Sequence, residues 1–360
     1  MRMVILKLHL YLGLASAVML VILGLTGSII AFEGDIEHWL HSDLWYVEAA
    51  VIAKPQAELI AAAELRFAPA RVRTVQLFRE SNLVQIMQMS DGASVYLNPY
   101  NGAILGRTKG ASNSQRILGY IHQVHLRLTP DPRTAPGLAA IGKVIVSCAG
   151  LALCLLVPTG FMLWWRTRRA SIRWKGSWFR ICFDTHHAVG IYAGIFLFIA
   201  AFTGILIGFD FGESAIFAFT HSSRPGPRQK LFSTFVEGAA ALRADEVMAI
   251  ARHSIPGASV AGLMLPTDPK AIYTILMRVP EETSESVHST VAIDQYSGQV
   301  LEVRNFMTDS LGYRVIRFNR SIHTGDIWGK ASHFGASLSS LLLVVMAVTG
   351  LVIWWKKLAV

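Results

Sequence analysis

Four apolar windows decide what this chain can be. They run about Leu8–Phe32, Leu138–Trp165, Ala188–Phe209 and Phe334–Trp355. Each is at least as long as the ~20 residues with which a helix crosses ~30 Å of hydrocarbon. One such window can be the buried helix of a soluble core; four in 360 residues describe a bundle in a bilayer. Composition agrees, since only 16% of residues are charged against about 25% in an ordinary globular chain. Ala15-Ser16-Ala17 has the look of a signal-peptide cleavage site. The apolar run nevertheless continues through Val18–Phe32, so the first window is expected to remain as a helix.

The net charge of +9 is explained by its placement. Arg166, Arg168, Arg169, Arg173, Lys175 and Arg180 lie between the second and third windows, and Arg2, Lys7, Lys356 and Lys357 lie at the termini. Asp184 is the one acid among them, so these segments carry the whole excess. That is the positive-inside pattern, which puts both termini and the loop in the cytoplasm. Trp164-Trp165 and Trp354-Trp355 then fall at the inner interface. The basic charge reads as topology, and no nucleic-acid partner is expected. Cys148, Cys154 and Cys182 all lie in or beside the apolar windows, so no disulfide framework is expected outside them.

The chain also repeats itself. At an offset of 177 positions His9 falls on His186, Gly13 on Gly190, Thr26-Gly27 on Thr203-Gly204, and Phe32-Glu33 on Phe209-Asp210. At an offset of 190, Thr159-Gly160 falls on Thr349-Gly350 and Trp164-Trp165 on Trp354-Trp355. The segments between match too. Tyr96-Leu-Asn98-Pro-Tyr100-Asn-Gly102 corresponds to Ala292-Ile-Asp294-Gln-Tyr296-Ser-Gly298, each reading as strand, glycine turn and strand. A helical stretch precedes each, at Ala57–Leu65 and Ala244–Arg252, with further strands around Val72–Phe78 and Ile272–Val279. The expected protein is therefore an integral membrane α-helical chain of four transmembrane helices from an internal duplication, with two external α+β domains. Helices are expected over 1–34, 138–166, 185–210 and 332–356, a basic loop over 167–184, and the domains over 35–137 and 211–331, with an interfacial segment at 117–128. Domains this small are marginal alone and are expected to dock on each other or on the bundle.

The twelve histidines sit in telling places. His9 lies at the cytoplasmic end of the first window, and His186 and His187 at the same end of the third. His125 lies just before the second window, His323 just before the fourth, and His333 opens the fourth. An imidazole in or beside hydrocarbon is costly unless partnered, and so points to function. Gly13 and Gly190 each follow a histidine by one helical turn, which leaves room for something flat between helices. A porphyrin with axial imidazoles suits that description. The repeat pairs His9 with His186 on the inner side and His125 with His323 on the outer side. Zinc or copper is disfavoured by the lack of short ligand spacings. No C-x-x-C-H motif is present, so any haem is a non-covalent b type. His38, His41, His221, His253 and His288 read as loop or interfacial residues, and Glu33 and Asp210 as markers of the membrane boundary. No nucleotide or flavin loop, nucleophile elbow or H-E-x-x-H pattern occurs, and no catalytic side chain is identified.

These residues resemble the PepSY-associated transmembrane family over essentially the whole length. The resemblance rests on His9-Leu-Tyr-Leu-Gly13 with Leu25-Thr26-Gly27, and on His187-Ala-Val-Gly190 with Phe202-Thr203-Gly204. It rests too on Ile322-His323-Thr324-Gly325 and on Thr349-Gly350-Leu-Val-Ile-Trp354-Trp355. The two Asx-x-Tyr-x-Gly turns look like PepSY units, which the resemblance places in the periplasm of a bacterial inner-membrane protein. It implies a di-haem ferric-siderophore reductase, two b haems held by His9, His186, His125 and His323, and an electron donor that is quinol or a cytoplasmic reductase. The choices between His186 and His187, and between His323 and His333, stay open. The first half has His125-Leu-Arg127 where the second has His-Thr-Gly, so the outer site is not perfectly symmetric. A PepSY-bearing binding or regulatory protein is the alternative; a metal or siderophore permease is weaker, because four helices leave little room for a path and intramembrane acidic residues are scarce.

Overall fold

The computed structural model describes residues 1–129, 131–224, 229–280 and 289–358. The chain divides into two units: Met1–Glu33, Arg116–Ser222 and Val315–Val360 in one, Gly34–Gln115 and Ser223–Arg314 in the other. In chain order the helices are α1 (Arg2–Ile30), α2 (Glu33–Leu40), α3 (Ser42–Trp45), α4 (Gln56–Arg66), α5 (Asn113–Arg127), α6 (Pro136–Trp164), α7 (Trp178–Gly208), α8 (Asp210–Phe219), α9 (Ala244–Ser254), α10 (Leu311–Thr324) and α11 (Lys330–Leu358).

The first unit is built on α1, α6, α7 and α11, four helices long and apolar enough to cross a membrane. At 29 residues α1 is about 43 Å long, which exceeds the ~30 Å hydrocarbon core. α1 packs chiefly against α6 and α11, and α7 against the same two, so α1 and α7 lie across a diagonal. Small residues let the backbones approach, as expected where apolar burial gives little drive between helices. A Cβ at Gly24 of α1 would stand 2.6 Å from the Ser340 carbonyl of α11. Ser337 of α11 donates to the Ser28 carbonyl at 2.9 Å.

One boundary differs from the sequence expectation. α7 begins at Trp178, so the basic loop ends about seven residues before the expected 184. By hydropathy the polar run Asp184-Thr-His-His lies outside the third apolar window. In the structure Asp184 is buried, and Arg173 Nε at 3.1 Å and Arg180 Nε at 3.2 Å neutralise it. The Ser177 side chain accepts from the Arg180 amide, which caps the helix one turn further back.

The second unit holds one sheet with strands β1 (Val72–Gln76), β2 (Gln85–Met89), β3 (Ala93–Leu97), β4 (Ile104–Lys109), β5 (Ser259–Met264), β6 (Ile272–Arg278), β7 (Ser289–Asp294) and β8 (Val300–Arg304). Their order is β4-β3-β2-β1-β5-β6-β7-β8, antiparallel throughout. The two segments expected as separate domains thus join edge to edge, with Thr74 opposite Met264, Val75 opposite Leu263 and Gln76 opposite Gly262. Fusion covers two strand edges that would otherwise be open. It also gives one core large enough to stand: Leu59 of α4 and Val247 of α9 share a buried cluster with Met87, Val95, Ile275 and Ile293. Asp245 of α9 ties the halves further, because its carboxylate accepts from the Gln56 and Ala57 amides at the start of α4, at 2.8 and 2.9 Å.

The Asx-x-Tyr-x-Gly segments form the same turn twice. Asn98 Oδ1 accepts from the Tyr100 amide at 2.8 Å, and Asp294 Oδ1 from the Tyr296 amide at 2.9 Å. Each turn closes on a glycine at positive φ, Gly102 at +77° and Gly298 at +72°, where a side chain is strained. Each tyrosine hydroxyl then donates back to a carbonyl just before the strand pair that leads into its turn, Ser81 at 2.7 Å and Pro269 at 3.1 Å.

Candidate functional site: two imidazole pairs in the bundle

Four of the six singled-out histidines come together as two pairs. His9, early in α1, faces His186, early in α7, with ring centroids 6.4 Å apart and planes at 88°. His125, late in α5, faces His323, late in α10, also at 6.4 Å, with planes at 51°. The pairs occupy opposite ends of the bundle. His9 bonds to a residue at the C-terminal end of α6, whereas His125 bonds to Thr26, seventeen positions along α1 from His9. At 1.5 Å per residue that separation is about 25 Å.

Each ring is held through Nδ1 by a threonine of its own half of the chain. His9 Nδ1 meets Thr159 Oγ1 at 3.0 Å and His186 Nδ1 meets Thr349 Oγ1 at 3.0 Å. His125 Nδ1 meets Thr26 Oγ1 at 2.9 Å and His323 Nδ1 meets Thr203 Oγ1 at 3.0 Å. Asn319 of α10 donates to the Thr203 carbonyl at 3.2 Å, which pins α10 to α7. At the outer pair, burial and then the neighbouring His323 push the His125 pKa down to about 3, and burial lowers that of His323. Both imidazoles are therefore neutral at ordinary pH, the form in which a ring nitrogen keeps a lone pair for a metal.

The other two histidines stand apart. The His187 ring lies on Phe183 at 4.4 Å. His333 lies 3.8 Å from Asp326 and edge-on to Phe32. His122, one turn before His125, bonds to Glu33 at 2.8 Å, while Asp210 bonds to Lys143 at 2.5 Å. His38 packs at a tilt against Trp45 and His41 bonds to Ser114; His253 bonds within its own helix, and His288 lies outside the described residues. Gly13 and Gly190 face apolar side chains. A Cβ on Gly13 would meet Leu156 at 3.8 Å, and one on Gly190 would meet Met346 at 3.0 Å. The glycines that face imidazoles are those of the four Thr-Gly dipeptides, which the sequence displayed as markers of the repeat without revealing their use.

Among the described residues, no three His, Cys, Asp or Glu side chains are grouped to hold a bare metal ion. Two opposed imidazoles suit instead a group whose remaining ligands come with it. Each pair sets two imidazoles opposite one another with ring centres 6.4 Å apart, the donor set that would hold a haem iron. The residues present therefore fit haem at each pair.

No curated protein matches the sequence. A family model described as the PepSY-associated TM region matches residues 6–357, nearly the entire chain, bundle and sheet together. The chain belongs to the PepSY-associated transmembrane family.

Proposed function

We propose that this protein is an inner-membrane di-haem b reductase that carries electrons outward to a ferric siderophore or other ferric chelate. The observation that supports this most is the double occurrence of one imidazole spacing, 6.4 Å, at the two ends of the bundle. His9 and His186 would hold the inner haem, and His125 and His323 the outer one. Haem, when bound, supplies reversible one-electron chemistry at iron.

The chain's own residues do the rest. The basic loop and termini set the inner pair on the cytoplasmic side, by the positive-inside rule. The outer pair and the sheet, read as two fused PepSY-like repeats of a duplicated chain, then face the periplasm. A ferric substrate that gains one electron becomes Fe(II), which hard oxygen chelators hold less well, so reduction favours release. The sequence has no nucleotide or flavin loop, so quinol or a partner reductase is the natural donor.

The test is an absorption spectrum of the detergent-purified chain, oxidised and dithionite-reduced, followed by mixing of the reduced protein with a ferric chelate. Two b haems per chain and reoxidation by the chelate are expected. A colourless protein from haem-replete cells sinks the reading and leaves a PepSY-bearing binding or regulatory protein. Haem that no ferric chelate reoxidises removes the reductase step alone.

A further inference from the structure

We infer that the four Thr-Gly dipeptides are imidazole seats: each threonine fixes its histidine as the Nδ1–H tautomer and leaves Nε2 as the basic atom, and each glycine admits the ring. The threonines are positioning residues, and the inference rests on the haem reading only for its redox consequence.

The argument starts from the threonine hydroxyls. Thr26 Oγ1 donates to the Ile22 carbonyl at 2.7 Å, Thr159 to Leu155 at 2.7 Å, Thr203 to Ile199 at 2.7 Å and Thr349 to Val345 at 2.6 Å. A hydroxyl has one proton, and here it is committed to a carbonyl of the preceding turn. Toward the histidine it can only accept. The imidazole nitrogen facing it must therefore carry the proton, so Nδ1 donates and Nε2 keeps the lone pair. His323 has a second acceptor that agrees, the Ala200 carbonyl 3.0 Å from Nδ1.

The next residue in each dipeptide explains the glycine. A Cβ would stand from the facing imidazole Cε1 at 3.2 Å on Gly27, 3.1 Å on Gly160, 2.9 Å on Gly204 and 3.3 Å on Gly350. All four are closer than ordinary van der Waals contact, so a side chain there crowds the ring against its threonine, most of all at Gly204. One dipeptide thus supplies both the acceptor and the space, and the same arrangement occurs four times in one chain. A hydroxyl acceptor is neutral, so it orients the ring without drawing it toward imidazolate as a carboxylate would.

Two readouts test this on full-length protein. In the haem-free chain with ¹⁵N-labelled histidine, the wild type is expected to show His125 as the Nδ1–H tautomer. Thr26→Val removes the acceptor without changing the shape and is expected to give a mixture, and Thr26→Ser to restore the single form. In the haem-loaded chain, Thr26→Val is expected to shift the reduction equilibrium of the outer haem about tenfold toward the reduced form, about 59 mV for one electron, with the inner haem unmoved. Loss of the outer haem in Thr26→Val with full retention in Thr26→Ser supports the same inference. An Nε2–H tautomer in the wild type overturns it, as does a wild-type tautomer and potential in Thr26→Val, or equal loss in both variants. A wild type that binds no haem defeats the proposed function but leaves the tautomer measurement intact.

Discussion

The two halves of the chain seat their histidines in the same way, and the places where they differ are instructive. Each half seats its own histidines: α6 seats the ring of α1, α11 that of α7, α1 that of α5, and α7 that of α10. Each imidazole pair, however, takes one ring from each half. Seating is therefore local, and pairing depends on the assembly of the halves. At the periphery the likeness ends. Glu33 meets a histidine where Asp210 meets a lysine, and Asn98 turns the chain where Asp294 does so in the second half. The seats and the turn backbones are shared, and what differs is the chemistry of single side chains around them.

That division is broken most sharply by removing single histidines. If each pair holds one haem, His9→Ala removes the inner haem and leaves the outer, and His125→Ala does the reverse. Reduced-minus-oxidised spectra with haem quantified per chain are expected to fall from two haems to one in each case. Loss of both haems in either variant would show that the pairs are not independent seats. His187→Ala and His333→Ala, which remove rings outside the pairs, are expected to retain two.

A smaller effect distinguishes two of the four seats. Alanine at Gly204 brings its Cβ to 2.9 Å from the His323 ring, against 3.3 Å for Gly350 and the His186 ring. Overpacking of this kind costs about 1–3 kcal/mol, and the closer contact stands at the top of that range. Gly204→Ala is expected to lose outer haem, whereas Gly350→Ala keeps most of the inner haem, both read from haem per chain. The reverse order would mean that α7 and α10 yield more readily than α7 and α11.

How much of this was legible in the sequence follows from what kind of information each feature needs. The four spanning helices are one-dimensional signals, and so are the Asx-x-Tyr-x-Gly turns, where Gly102 and Gly298 must take positive φ. The histidine pairing followed from the repeat alone, since His9 and His186 occupy equivalent positions. The start of α7 was hidden because Asp184 is neutralised by Arg173 and Arg180, and a hydropathy scan sees charges one at a time. Fusion of the sheet was hidden because β1 and β5 lie nearly two hundred residues apart, with nothing local to specify their register. The role of Thr-Gly was hidden for a related reason. The dipeptide and the imidazole it seats are 99 to 163 positions apart, so the motif looked like punctuation of a repeat.

The mildest difference between the halves concerns pH. Asn98 cannot ionise, whereas Asp294 is a buried carboxylate at the matching turn. Burial alone would raise its pKa, but amide donors from Ser297, Thr234 and Tyr296 outweigh that and hold it below the usual carboxylate value. A carboxyl whose folded pKa is depressed stabilises the fold above its unfolded pKa of about 3.9, and this stability is lost as pH falls through the lower folded value. Of the two matching turns, the one in the second half is therefore the acid-sensitive one. Asp294→Asn is expected to flatten that acid loss in the full chain, followed by circular dichroism or amide exchange on β7. The same change aims an amide at the Thr234 N–H, which now donates to Oδ2 at 2.6 Å. An unsatisfied amide of this kind costs about 1–3 kcal/mol at neutral pH. Asn98→Asp is the converse, expected to make the first turn acid-sensitive at little neutral cost, because its Oδ1 already accepts from amides. Equal acid loss in wild type and Asp294→Asn would place the acid sensitivity elsewhere, and the two turns would then be equivalent in chemistry as well as in shape.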